Sequence, residues 1–93
     1  MIKNFKDKNT QFLFETGKSK TLPTDIINRA IRKLDMLSSA ETIEDMRVPP
    51  SNRLHKLSAD REGQYSISVN NQWRICFKFA RGNAYDVEIC DYH

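Results

Sequence analysis

The spacing of hydrophobic positions changes at Pro49-Pro50-Ser51-Asn52. Before it, apolar residues recur at helical intervals. Asp7 or Asn9 can cap a short helix through about Thr16, because their side chains accept from the free amides of a first turn. Phe12 and Leu13 are expected to face the core, and Gly17 sits where a left-handed cap is wanted. Ile27, Ala30, Ile31, Leu34 and Leu37 fall three and four apart, which puts them on one stripe of a second helix ending near Ser39. Thr24 is its expected cap, with Asp25 in the positive first turn. Arg29, Arg32 and Lys33 lie outside the stripe. Glu41–Met46 reads as one helical turn, and the prolines stop it.

After the prolines the period is two. Arg53-Leu54-His55-Lys56-Leu57 reads as a short strand. Tyr65, Ile67 and Val69 alternate with Gln64, Ser66 and Ser68. Beyond Asn70-Asn71-Gln72, which supplies turn chemistry, Trp73, Ile75, Phe77 and Phe79 alternate with Arg74, Cys76 and Lys78. Arg81-Gly82-Asn83 is a second turn, and Tyr85, Val87 and Ile89 alternate with Asp86, Glu88 and Cys90. Such a run is an antiparallel meander. Ile2-Lys3-Asn4-Phe5 alternates weakly and is a further short strand candidate. Helices first and sheet afterwards predict an α+β domain, with two N-terminal helices on one face of a small, mainly antiparallel sheet.

Register turns the pattern into a surface. Matching Phe77 with Val87 sets Ile75 against Ile89 on the core side, and on the other side Arg74 against Cys90, Cys76 against Glu88 and Lys78 against Asp86. Val69 against Trp73 sets Ser68 opposite Arg74, so Arg74 stands mid-sheet on the solvent face. Cys76 and Cys90 become diagonal neighbours, roughly 7–8 Å apart between α-carbons, at or beyond the reach of a disulfide.

Composition narrows the class. With 93 residues, 39% hydrophobic and 29% charged, the chain has the size and composition of one globular domain, 1–93. No apolar run is long enough to span a membrane, and the first residues carry no signal-peptide pattern. Two cysteines are too few for a disulfide framework, so a cytoplasmic protein with free thiols is expected. The net charge of +3 conceals a pattern. Residues 1–33 carry 8 basic against 3 acidic side chains, residues 34–46 carry 4 acids and no base, residues 47–81 carry 7 bases against 2 acids, and residues 82–93 carry 3 acids. The basic middle suits an anionic partner such as RNA or DNA, although a solvated, ion-paired surface has the same composition.

His55, Arg74, Asp91, Tyr92 and His93 are the candidate chemistry. Histidine exchanges protons near neutral pH, and arginine holds a phosphate by two parallel hydrogen bonds while offsetting transition-state charge. Together they suit RNA cleavage by a ribose 2′-hydroxyl attacking the adjacent phosphate. The alternative is an ordinary surface with a frayed tail. The two His and two Cys lack structural zinc spacings, and neither a Gly-rich phosphate loop nor a G-x-S-x-G elbow occurs.

The combination of Asp60-Arg61-Glu62-Gly63, Tyr65-Ser66-Ile67-Ser68-Val69, Gln72-Trp73-Arg74-Ile75-Cys76-Phe77 and Asp91-Tyr92-His93 resembles the HigB toxins of the RelE/ParE superfamily. Ile2-Lys3-Asn4-Phe5, Phe14-Glu15-Thr16-Gly17 and Pro49-Pro50 before Asn52-Arg53-Leu54 fit as well, so the resemblance covers nearly the whole chain. It implies a RelE-like fold and a ribosome-dependent endoribonuclease, metal-independent and without cofactors, that cuts mRNA in the decoding site. It also implies a helix-turn-helix antitoxin as partner, through which alone operator DNA would be reached. By position His55, Arg74, Asp91, Tyr92 and His93 match the active-site pattern, and Arg53, Lys56, Arg61 and Lys78 are the candidate RNA contacts. Ser58 and Ser68 stand where the pattern has basic residues, so Lys56 or Arg61 would have to supply those phosphate contacts. Two other readings are compatible with the same fold: a ParE-like inhibitor of DNA gyrase, which does not need the terminal Asp-Tyr-His with Arg74, and a non-catalytic nucleic-acid- or protein-binding domain.

Overall fold

The computed structural model describes residues 1–91. Helix α1 spans Lys8–Thr16 and helix α2 Thr24–Ser39, and four strands follow: β1 His55–Lys56, β2 Tyr65–Ser68, β3 Trp73–Ala80 and β4 Asn83–Asp91. Short 3-10 turns at Ile43–Arg47, Pro50–Asn52 and Ala59–Arg61 bridge the helical and sheet halves. The strands form one antiparallel sheet in chain order, β1-β2-β3-β4. The expected α+β architecture is therefore present.

Local chemistry accounts for the element ends. Asp7 caps α1, its carboxylate accepting from the Thr10 amide at 3.0 Å. Gly17 closes the helix at φ 74°, where its amide donates to the Leu13 carbonyl at 2.8 Å and where a side chain would be strained. Thr24 does not cap α2. It is the first helical residue, and Pro23 takes the cap position without a side-chain hydrogen bond. The β3–β4 turn has positive φ at both Arg81 and Gly82, as a two-residue hairpin twisted with its strands requires.

The core lies between the helices and one sheet face. Leu13, Ala30, Leu34, Leu37, Ile67, Ile75, Phe77, Ala84 and Val87 have no exposed surface. Three expectations about that face need correction. Phe12 is 42% exposed, because α1 presents Thr10 and Leu13 inward and leaves Phe12 off that stripe. Within α2, Ile26 is more deeply buried than Ile27 or Ile31. Lys33, assigned outside the stripe, is only 7% exposed. Its ammonium donates to Asn52 Oδ1, and Asn52 Nδ2 donates to the carbonyls of Met46 and Val48. That anchor ties the middle of α2 to the loop entering β1. Burial, assisted by the charges of Arg29 and Arg32, lowers the Lys33 pKa.

The far edge of β4 is covered by the N-terminal segment. Ile2 and Phe5 form parallel bridges to Ala84 and Val87 rather than a strand. The Lys3 amide donates to Ala84 at 2.8 Å and the Lys6 amide to Val87 at 2.9 Å. The next free amide, of Ile89, donates to Thr10 Oγ1 at 3.0 Å. An edge occupied in this way cannot template a second chain. Between these contacts the ladder slips: Cys76 pairs with Glu88, but Lys78 pairs with Tyr85 instead of Asp86. Asp86 sits at φ 52°, a conformation acidic and amide side chains tolerate. Asn4 clasps it there, accepting from the Asp86 amide at 3.1 Å and donating to its carboxylate at 2.7 Å. The extra residue inverts the parity of the strand beyond it. Ala84 faces the core in place of Tyr85, which is half-buried. Lys78 and Asp86 still form an ion pair, at 3.6 Å.

Candidate active site on the polar face of the sheet

Opposite the core, the register lays out two rows of side chains. His55 pairs with Ser66, Ser66 with Cys76, and Cys76 with Glu88. One step along, Ser68 pairs with Arg74 and Arg74 with Cys90. The mid-sheet position expected for Arg74 is therefore correct, as is each pairing on that half of the meander.

Arg74 is held on two sides. Its Nε donates to Ser66 Oγ at 2.9 Å and its Nη2 to the Arg53 carbonyl at 3.2 Å. Arg53 can offer that carbonyl because the chain turns sharply there, at φ 48°, as it leaves the Pro50–Asn52 turn. Asn52, one residue earlier, is the buried end of the Lys33 anchor. Both of these acceptors are neutral, and they fix the plane of the guanidinium on the polar face. His55 is exposed on edge strand β1, directly across from the Ser66 that orients Arg74.

Asp91 closes β4, paired with Trp73, and its carboxylate accepts from Gln72 Nε2 at 3.1 Å. One position past the Arg74–Cys90 pair, it alternates to the other side of the strand, so the register does not bring Asp91 into the row of Arg74. The expectations for Tyr92 and His93 lie outside the described residues.

The four candidate RNA contacts divide into two kinds. Arg53 and Lys56 are exposed. Arg61 Nη1 donates to Gln64 Oε1 at 3.2 Å and to Glu88 Oε2 at 3.3 Å, and Lys78 is paired with Asp86. Arg61 and Lys78 would have to exchange an acidic partner for a phosphate. Burial alone would raise the Glu88 pKa, but donors on Lys6, Cys90 and Arg61 outweigh it and hold the carboxyl below its usual range.

Sequence reasoning missed three contributors. Ser66 orients Arg74, Glu88 gathers Lys6 and Arg61, and the Lys33–Asn52 pair fixes the loop that carries Arg53. The signal for Ser66 lay in register, two places from the residue opposite Arg74 on the same face. No periodic signal marks Asn52. Among the described residues no group of three or more His, Cys, Asp or Glu side chains could hold a metal ion.

A two-helix layer on a four-stranded antiparallel meander, with an oriented arginine at the centre of the open face, defines the RelE-like class of small toxin folds. Within that class the assignment is specific: residues 3–93 match the family described as RelE-like toxin of type II toxin-antitoxin system HigB. The chain is also 39% identical, over the full length of both proteins, to the endoribonuclease HigB of Proteus vulgaris. It is 38% identical to toxin HigB-1 of Vibrio cholerae over 90% of each chain. An uncharacterized protein of Haemophilus influenzae is 35% identical over 82% of this chain. The chain belongs to the HigB-like toxin family, and a toxin of a type II toxin-antitoxin system has a cognate antitoxin. No helix among the described residues is long and apolar enough to cross a membrane.

Proposed function

We propose that this chain is a single RelE-like toxin domain that acts in the cytoplasm as a ribosome-dependent endoribonuclease, cutting mRNA in the ribosomal A site. The observation that carries the reading is the fixed Arg74, with His55 across from its Ser66 support. The Proteus vulgaris relative is named as an endoribonuclease, in agreement with that chemistry.

In the reaction, a ribose 2′-oxygen forms a bond to the adjacent phosphorus and the bond to the 5′-oxygen of the next nucleotide breaks. The products are a 2′,3′-cyclic phosphate and a free 5′-hydroxyl. Arg74 takes the scissile phosphate and offsets the charge that grows on its oxygens. Asp91 and His93 move the proton from the attacking hydroxyl and deliver one to the leaving oxygen. Tyr92 stacks on or hydrogen-bonds a displaced base, and His55 supports either proton step. The scheme needs no metal and no cofactor. Arg53 and Lys56 meet flanking phosphates first, while Arg61 and Lys78 join them by releasing Glu88 and Asp86. The ribosome supplies the rest of the substrate's orientation, which suits a face where Arg61 and Lys78 are already paired with acids. Growth arrest is relieved by a helix-turn-helix antitoxin, through which alone the toxin reaches operator DNA.

The test is induced expression followed by mapping of mRNA 5′ ends, with single-turnover cleavage on programmed ribosomes. Cuts confined to translated messages are expected, and alanine at Arg74 or removal of Asp91 to His93 should abolish them. Wild-type rates in either variant would sink the assignment.

A further inference from the structure

The scheme above leaves two nucleophiles unused, Cys76 on β3 and Cys90 on β4. Both are free thiols. The diagonal placement put them at the limit of disulfide reach, yet their sulfurs lie 3.3 Å apart, with the Cys90 thiol donating to Cys76. A disulfide bond is about 2.05 Å long, so the sulfurs need to approach by little more than about 1.2 Å, within the range of small side-chain rotations. Cys76 is 2% exposed, whereas Cys90 is only half-buried and gives the pair an opening to solvent. Arg74 stands directly across from Cys90, and Arg61 reaches Glu88, the residue across from Cys76.

We propose that Cys76 and Cys90 form a redox-active dithiol, a modification site at which a hydroperoxide closes a cross-strand disulfide beside Arg74. The pair first loses one proton. The thiolate attacks the outer peroxide oxygen, the O–O bond breaks, and the alkoxide leaves and is protonated to the alcohol. The sulfur that attacked is now a sulfenic acid. The second sulfur then attacks it, the S–S bond forms, the S–O bond breaks, and hydroxide leaves with the second thiol proton as water. Two thiols and one hydroperoxide thus become one disulfide, one alcohol and one water, with two electrons passing from sulfur to oxygen.

The surroundings favour the first step. The hydrogen bond from Cys90 lowers the Cys76 thiol to about 7, with the charges of Arg61 and Arg74 assisting against burial and Glu88. The same bond pushes the Cys90 thiol up, so that it keeps its proton until the second step. A thiol held low in this way favours the thiolate, the form that attacks a peroxide.

The test treats the reduced, full-length protein with hydrogen peroxide and follows intact mass without reductant. A monomer two hydrogens lighter, with both thiols lost to a thiol reagent and recovered by dithiothreitol, is expected. The rate should rise about tenfold per pH unit below 7 and level off above it. C90S should stop at a trappable sulfenic acid, one oxygen heavier, and C76S should react at least tenfold more slowly than the wild type. Retained thiols, a disulfide between two chains, or a Cys90-to-Ser protein that behaves as the wild type would overturn the proposal. None of these readouts involves RNA, so they stand apart from the nuclease assignment. The consequence for activity does rest on that assignment. Closure locks Cys90, directly across from Arg74, against Cys76, so cleavage by the oxidised protein should be at least threefold slower and recover on reduction. Equal rates would remove the regulatory role.

Discussion

On the side of the sheet under α1 and α2, Ile67, Ile75, Phe77 and Val87 have no exposed surface; on the other side Ser66 and Cys76 are equally dry, at 0% and 2% exposure. The two faces therefore do not differ in contact with water at their centres. They differ in what each side chain meets. Beneath the helices the contacts are apolar and non-directional, and their worth scales with the area covered. On the polar face Arg74 and Arg61 lie over the strands and donate to Ser66, the Arg53 carbonyl, Gln64 and Glu88. A buried polar face keeps its shape only while those bonds are made, since an orphaned donor or acceptor costs more than a typical bond contributes. One face secures the fold, and the other is secured by it and holds charge in place for chemistry.

The largest break in this comparison is on the apolar side. Phe77→Ala should cost about 3–5 kcal/mol of stability, the usual range for emptying a packed aromatic site. Denaturant unfolding would measure it. A cost under about 1 kcal/mol would mean that Phe77 is not the centre of the core, because a buried aromatic side chain is worth more than that wherever packing is tight.

Arg74→Ala should do the reverse. Single-turnover cleavage should fall about 100- to 1,000-fold, the range for removing one donor to a charged transition state. Unfolding stability should fall by only about 1–2 kcal/mol, the cost of leaving the buried Ser66 hydroxyl and the Arg53 carbonyl without their donor. Arg74→Lys restores the charge but not the two-sided anchoring, so it should recover only part of the rate.

Legibility followed the same division. Where hydrophobic parity decides, as at Ser68 opposite Arg74 or Ile75 opposite Ile89, the pattern was sufficient, because a slip by one residue would turn the whole strand inside out. It failed at Asp86. The bulge there depends on a clasp from Asn4, more than eighty positions away, and no local period records it. Tyr85 and Ala84 exchanged faces as a result. Lys33 was misplaced for a related reason. A lysine enters a core only with a partner, and Asn52 is invisible to helical spacing. The close approach of the two sulfurs is likewise a matter of rotamers rather than register.

The Lys33–Asn52 anchor lies between the two faces and should show an intermediate effect on each. Asn52→Ala leaves the Lys33 ammonium and the Met46 and Val48 carbonyls without their partner. A loss of about 1–3 kcal/mol is expected, the penalty for orphaned buried polar groups. Cleavage measured well below the unfolding temperature should also fall, because Arg53 begins one residue later and its carbonyl holds Arg74. A loss of stability with unchanged cleavage would separate the anchor from the site. Ser66→Ala is a finer probe. It removes one bond from the Arg74 guanidinium to a neutral acceptor without touching the apolar core, and about 1 kcal/mol, or roughly a fivefold lower rate, is expected. The substrate KM should move less than the rate if Ser66 acts by orienting the guanidinium.

The smallest effect separates the charges of the polar face from its hydrogen bonds. The Glu88 carboxyl, and that of Asp86 beside Asn4 and Lys78, titrate below their ordinary range in the folded chain. A depressed folded-state value means that the unfolded chain binds the proton first, so stability falls with falling pH. The contribution is complete above the ordinary carboxylate range and is lost as pH drops through the folded values. Glu88→Gln should therefore flatten the acid limb of a stability-against-pH curve while leaving the neutral plateau lower by about 1 kcal/mol or less, since Lys6 is half exposed and the pair is screened. The same substitution frees Arg61. If Glu88 competes with RNA for that guanidinium, the variant should bind RNA more tightly at neutral pH and show a steeper salt dependence, by about one phosphate contact. An unchanged salt slope would assign Arg61 to the architecture of the polar face alone and leave Arg53 and Lys56 as the flanking contacts.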